Sequence, residues 1–191
     1  MKSGLIVEKP SIKIEWKSMD LNTSKDKAAV MIILCENGEI EALYIKRASN
    51  PMDPWSGQIA FPGGRTKIQD IDIIETAIRE TREEVGIEVK REDVIGILGV
   101  FQLASEPKLK VYPVIVKLNF KPKVKLSNEV TDYMWIPIKR LCLSELEIDG
   151  KKVEGYKYGS YIIWGLTARI TKKLIELLKQ EDLYTNNFTL H

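Results

Sequence analysis

The stretch between Asp70 and Gly86 limits the possible folds of this chain more than any other. Ile74, Ala77, Ile78, Thr81 and Val85 recur at helical spacing and fall on one face, which is enough to dock a helix on a sheet. Asp70 or Asp72 can cap its start, and Gly86 supplies a left-handed stop after Val85. With about 100° between successive helical residues, Glu80, Glu83 and Glu84 gather in an arc of roughly 100° away from the apolar stripe. Such a helix needs a sheet under one side and presents three carboxylates on another.

The sheet is legible on either side of that helix. Lys27 to Cys35 is an apolar run suited to a buried strand, Glu39 to Arg47 is a second, and Asn37-Gly38 between them is a hairpin signal. From Ala48 to Arg65 the pattern breaks into turn residues, Asn50-Pro51, Asp53-Pro54 and Pro62-Gly63-Gly64, around the short apolar piece Ile59 to Phe61. Val94 to Leu103, Val111 to Leu118 and Val130 to Ile136 read as three more strands. Trp164 to Gln180 closes the series as an amphipathic helix, with Leu166, Ile170, Leu174 and Leu177 or Leu178 on its buried side. Strands, helix, strands, helix, without repeats or an evident linker, predict an α/β/α sandwich with a mixed sheet between helices.

Composition narrows the chemistry. The 191 residues, 44% hydrophobic, suffice for one full core. The 29 basic and 27 acidic residues leave a net +2, so no global field draws the chain to nucleic acid or to an anionic membrane, and any anion site must be local. The only histidine is His191, which argues against a His-based triad or a His-rich zinc site. Cys35 and Cys142 lack the spacing of a metal knuckle or disulfide framework and read as two buried thiols in a reducing cytosol. Residues 1–20 contain neither a signal-peptide core nor a stretch able to span a bilayer, so the expected protein is soluble and cytoplasmic. The chemistry then rests on carboxylates.

On the helix edge those carboxylates oppose one another. Glu80 repels Glu84 at i,i+4 and Glu83 at i,i+3, and all three lie near the negative end of the helix dipole. A bound divalent cation reverses the sign of that interaction, and Mg²⁺ favours a few carboxylates together with water and phosphate oxygens. Taken alone, Arg79-Glu80-Thr81-Arg82-Glu83-Glu84 also matches an ordinary solvated helix face with Arg79 and Glu83 as an i,i+4 pair. The nearby Pro62-Gly63-Gly64 loop shifts the balance, because a glycine pair lets backbone approach a phosphate where a Cβ would obstruct it.

Together these residues resemble the Nudix box, Gly-x5-Glu-x7-Arg-Glu-U-x-Glu-Glu-x-Gly-U with U apolar. Its second half matches at Arg79, Glu80, Glu83, Glu84, Gly86 and Ile87, with Thr81 in place of the usual aliphatic residue. Counting back from Arg79, the box glycine would fall on Arg65 and its first glutamate on Ile71. The loop therefore behaves as one residue longer, with Asp70 or Asp72 standing in for the missing acid. A longer loop after Phe-Pro-Gly-Gly resembles the coenzyme A pyrophosphatase-like branch of the family. The similarity extends upstream through Gly57-Gln58-Ile59-Ala60-Phe61-Pro62-Gly63-Gly64 and downstream to Trp164-Gly165-Leu166-Thr167-Ala168-Arg169-Ile170. Arg47-Ala48 fits the start of the branch's upstream signature, whereas Met52 occupies the place of its second Arg and Gly57 comes one residue late.

The resemblance implies one Nudix hydrolase domain over residues 1–191, with the box at 64–87 and an N-terminal extension over 1–25. It implies Mg²⁺, replaceable by Mn²⁺, held by Glu80, Glu83, Glu84 and the Gly64 backbone, with Glu83, Glu80 and Arg79 as the catalytic set. Arg47, Lys46, Gly63 and Arg65 are the expected substrate contacts. The base is a box glutamate or a loop acid such as Glu106 or Glu129, and Trp55, Phe101 and Tyr112 are candidates to stack on a base. The expected substrate is a small nucleoside diphosphate derivative, foremost coenzyme A or an acyl-CoA split to 3′,5′-ADP and a phosphopantetheine. The rivals are an ADP-ribose or dinucleotide pyrophosphatase and a non-catalytic nucleotide-binding module. Neither nucleic acid nor membrane is an expected partner, and the oligomeric state is open, a homodimer included.

Overall fold

The computed structural model describes Ile14, residues 18–50 and residues 55–181. The expected turns at Pro51 and Asp53-Pro54, the Met52 position, His191 and most of the N-terminal extension lie outside the described residues.

The first hairpin forms as expected: β1 (Lys27–Asn37) runs antiparallel to β2 (Glu39–Arg47) across Gly38, whose φ of 79° is the left-handed conformation that a tight turn requires. The short strand β3 (Ile59–Ala60) adds to the edge of β2, and β4 (Gly63–Arg65) pairs with β1. The helix α1 (Ile73–Val85) then opens on Asp72, whose side chain accepts the Glu75 N–H at 3.0 Å, and stops at Gly86 with φ 66°.

After α1 the chain returns to the sheet. The predicted strand from Val94 to Leu103 is two strands, β5 (Val94–Ile97) and β6 (Phe101–Gln102), because Gly99 at φ 123° turns the backbone between them. β7 (Lys110–Leu118) lies parallel to β1, whereas the other pairs in this sheet are antiparallel, and β8 (Val130–Pro137) joins β2. The sheet is therefore mixed, as the order of elements implied.

Three strands between residues 142 and 163 were not expected. β9 (Cys142–Ile148), β10 (Lys151–Tyr158) and β11 (Tyr161–Ile163) form a second antiparallel sheet. Asp149-Gly150 turns β9 into β10 with φ of 50° and 72°, the left-handed pair that an Asp-Gly hairpin favours. Cys142 is exposed on this sheet while Cys35 is buried, which corrects the expectation of two buried thiols. The helix α2 (Gly165–Gln180) follows.

Alternation along β1 puts a core on each face of the main sheet. Met31 and Ile33 join Ile73, Ile74, Ala77 and Val85 of α1, while Ile32 and Leu34 join Ile170, Leu174 and Leu178 of α2. The α2 residues follow the expected stripe, with Leu178 buried and Leu177 only partly so. The buried Tyr44 and Thr171 hydroxyls lie 3.0 Å apart and tie α2 to β2. The architecture is the expected α/β/α sandwich. No helix among the described residues is long and apolar enough to cross a membrane.

Candidate active site

The apolar stripe of α1 sets the orientation of everything on its other side. With Ile74, Ala77 and Val85 held in the core, Arg79, Glu80, Glu83 and Glu84 point toward β4 and the loop that precedes the helix. Arg79 is itself buried, and every N–H of its guanidinium has an acceptor. Nε and Nη2 donate to the two Asp70 oxygens at 2.7 and 3.0 Å, and Nη2 also donates to the Arg65 carbonyl at 3.1 Å. Nη1 donates to Glu80 at 2.5 Å and to Glu83 at 3.0 Å. The i,i+4 pair with Glu83 is thus one of two bonds by which a single nitrogen, Nη1, holds two carboxylates side by side.

Asp70 is the acid that holds Arg79, and Asp72 is the helix cap. Sequence spacing left the two as alternatives; the fork geometry separates them. Asp70 also accepts the Lys67 N–H and the Thr76 hydroxyl, each at 2.8 Å. Burial by itself would raise its pKa, but the hydrogen bonds from Arg79, Lys67 and Thr76 outweigh it and hold the carboxyl down at about 2.

Glu84 is the opposite case. It lies at the margin of the apolar stripe, its side chain only 3% exposed, whereas sequence reading put it on an open edge. The Gly63 N–H donates to it at 2.9 Å, and Arg47 Nη1 stands 3.6 Å away. Desolvation dominates, aided by the negative charges of Glu80 and Glu129, and pushes its pKa up to about 7 despite Gly63 and Arg47. Glu83 is more open and takes Lys67 Nζ at 3.1 Å as well as Arg79. Burial works against its charge, yet Lys67 and Arg79 keep its pKa below the usual carboxylate value.

The glycine pair fits closely against this set. A Cβ on Gly64 would come within 2.7 Å of the Glu80 carboxyl carbon, and one on Gly63 would come within 2.6 Å of the Val30 Cα. A side chain at Gly64 would displace the Glu80 carboxylate from its place beside β4, and one at Gly63 would run into the backbone of β1.

Glu80, Glu83, Glu84, Gly63, Gly64, Arg47 and Arg65 line one cavity of about 800 Å³. Glu129, Ser127 and Trp55 also line it. Leu103, Leu109, Val111, Leu166 and Ile170 add apolar side chains to the same lining. Of the other expected contacts, Lys46 is exposed and does not line the cavity, and neither do Phe101 and Tyr112. Arg65 carries an ion pair at 2.5 Å to Glu106, which is also off the cavity wall. Lys67 lines the cavity and was not foreseen, since the sequence signal there was a loop one residue too long rather than a charge.

Among the described residues no three acidic, cysteine or histidine side chains form a ready-made metal cage. The donor set nevertheless suits Mg²⁺, which takes one or two carboxylates and completes its shell with water and substrate phosphate. A buried carboxylate with a raised pKa beside a glycine backbone is a place where a cation lowers the energy of the charged form.

The chain is similar to known proteins over most of its length. The sequence model of the NUDIX domain matches residues 25–156. The mitochondrial coenzyme A diphosphatase of Homo sapiens is 32% identical over 164 residues, spanning 79% of this chain and 69% of that protein. Its Mus musculus counterpart is 30% identical over 167 residues, spanning 79% and 77%. The crystal structure of a MutT/nudix family protein from Enterococcus faecalis covers 86% of this chain and 66% of its own with a TM-score of 0.59. At 17% identity that last likeness is one of fold.

Proposed function

This chain belongs to the Nudix family and is a Nudix pyrophosphohydrolase, and we propose that it hydrolyses the diphosphate linkage of coenzyme A or an acyl-CoA in a Mg²⁺-dependent reaction. The products are 3′,5′-ADP and a phosphopantetheine. The observation that carries this reading is the mixed lining of one cavity, in which Glu80, Glu83, Glu84, the glycine pair and two arginines occur together with a set of apolar side chains. The charged and glycine residues suit a diphosphate, and the apolar side chains suit a pantetheine arm and its acyl group better than a second ribose. The similarity to coenzyme A diphosphatases supports the same substrate.

In this reading Glu80, Glu83, Glu84 and the Gly64 backbone hold the cation. When bound, Mg²⁺ neutralises phosphate oxygens and lowers the pKa of an attacking water. Arg79, pinned by Asp70, holds Glu80 and Glu83 beside one another on Nη1 and fixes their orientation. Gly63 and Gly64 let the diphosphate lie against the backbone, and the guanidinium forks of Arg47 and Arg65 match its oxygens. Water attacks phosphorus, the bridging P–O bond breaks, and the water proton passes to a carboxylate. Glu129 is preferred over Glu106 as that base because it lines the cavity, whereas Glu106 engages Arg65.

The test is turnover of a panel of coenzyme A, an acyl-CoA, ADP-ribose and a diadenosine polyphosphate with Mg²⁺. Release of 3′,5′-ADP from coenzyme A is expected; cleavage of ADP-ribose without it would move the assignment to the alternative substrate. Glu83→Gln should abolish turnover, by on the order of 10³-fold or more, with the fold intact by circular dichroism. Full activity in that variant sinks the metal assignment.

A further inference from the structure

We propose that Lys67 is a tethered cation that competes with the divalent metal for Glu83 in the free enzyme and transfers to the substrate diphosphate once metal and substrate bind. The inference rests on reading Glu83 as a metal ligand and names a residue which that reading leaves without a role. Lys67 Nζ lies 3.1 and 3.5 Å from the two Glu83 oxygens, so it straddles the carboxylate. A divalent cation arriving at Glu83 meets a positive charge already there, and like charges a few ångströms apart repel strongly outside bulk water.

The mounting of Lys67 makes it the movable member of the set. Its backbone is fixed, because Lys67 N–H donates to Asp70 at 2.8 Å, the Asp70 N–H returns to the Lys67 carbonyl at 3.1 Å, and Asp70 is clamped to Arg79. Its side chain is 45% exposed and ends in a flexible four-carbon stem. Arg79 has no such freedom, since its guanidinium is buried and held by Asp70 and the Arg65 carbonyl. Lys67 also lines the cavity that contains Arg47, Arg65 and the glycine pair. Displaced from Glu83, its ammonium stays within that cavity, where the oxygens of a diphosphate are the strongest available acceptors. Metal and diphosphate therefore favour one another: the metal frees the lysine, and the diphosphate accepts it.

The experiment measures Mn²⁺ binding by electron paramagnetic resonance, and Mg²⁺ binding by calorimetry, to the full chain without substrate and then with α,β-methylene-ADP as an uncleavable diphosphate. Lys67→Met is expected to bind either metal about three- to tenfold more tightly than the parent when no nucleotide is present. It should also bind α,β-methylene-ADP more weakly in the presence of metal, so that the mutual enhancement between the two ligands shrinks. Lys67→Arg should retain the enhancement. A merely damaged loop would loosen the metal, not tighten it, so the sign separates the proposal from misfolding. Unchanged or weaker metal binding in Lys67→Met overturns the proposal and leaves the metal site standing. A parent protein that binds no divalent cation at all overturns both the proposal and the reading of Glu83 beneath it.

Discussion

Asp70, in the loop before α1, and Glu84, in the last turn of α1, are both closed off from solvent, with side chains 1% and 3% exposed, but Glu84 lies under more of the protein and is the more strongly desolvated. Desolvation opposes the charge of both. Asp70 meets that opposition with a two-pronged arginine, a backbone N–H and a hydroxyl, and its pKa falls to about 2. Glu84 has one backbone N–H and an arginine at 3.6 Å, with Glu80 and Glu129 opposing, and its pKa rises to about 7. The contrast teaches that a lack of solvent exposure does not by itself assign a role; depth of desolvation and the supply of donors decide it. A carboxylate whose donors are complete is structural, and one left short of positive charge is where a cation fits.

The sharpest way to break the comparison is Asp70→Asn. The amide keeps the shape but removes the charge facing a buried guanidinium, and the expected loss is about 2–4 kcal/mol in urea or thermal unfolding. The loss falls short of a fully orphaned charge because Glu80 and Glu83 stay on Nη1. A change below about 1 kcal/mol would mean that Asp70 does not anchor Arg79.

Glu84→Gln should act in the opposite direction in metal-free protein. Glu84 has a folded pKa above the 4.5 of an ordinary glutamate, so its contribution to stability is full below pH 4.5 and is lost as the pH rises through 7. Asp70 has a folded pKa below 3.8, so its contribution is present above pH 3.8 and is lost as the pH falls through 2. In EDTA at pH 8, Glu84→Gln is expected to be more stable than the parent by about 1–3 kcal/mol, with the difference gone near pH 4.5. Saturating Mg²⁺ should erase the advantage, because the cation stabilises only the charged side chain. A difference that stays flat with pH would contradict the desolvation account.

The smallest effect belongs to Glu106→Gln. The Arg65–Glu106 pair is about half exposed on both sides, so stability should change by less than about 1 kcal/mol. Turnover should survive, since Glu106 is off the cavity wall. A fall on the order of 10²-fold or more would transfer the role of base from Glu129 to Glu106.

Local signals carried much of the fold. The Asn37-Gly38 hairpin and both ends of α1 sit where turn and cap chemistry put them. The sheet of residues 142–163 was overlooked, although Asp149-Gly150 between two alternating segments is a hairpin signal of the same kind. Charged residues such as Glu145, Lys151 and Lys152 thin its apolar pattern, and the exposed Cys142 belongs to it. At the candidate site, spacing groups Glu80, Glu83, Glu84, Arg79, Gly63 and Gly64, and the structure places them next to one another. It could not separate Arg47, which reaches the cavity, from its exposed neighbour Lys46. Periodicity names a face of an element but not what another part of the chain lays over it.

The acidic arc, the glycine pair and the apolar stripe were determined by the order of residues alone, because a helix and a tight turn impose their geometry over a few neighbours. Only the tertiary structure decided that Asp70 rather than Asp72 takes Arg79, that Glu84 is buried while Glu83 is open, and that Lys67 reaches the same carboxylate as Arg79. Those outcomes depend on how a loop folds back across a helix and how much water it excludes. Desolvation and charge pairing are set by such distances in space, which separation along the chain does not encode.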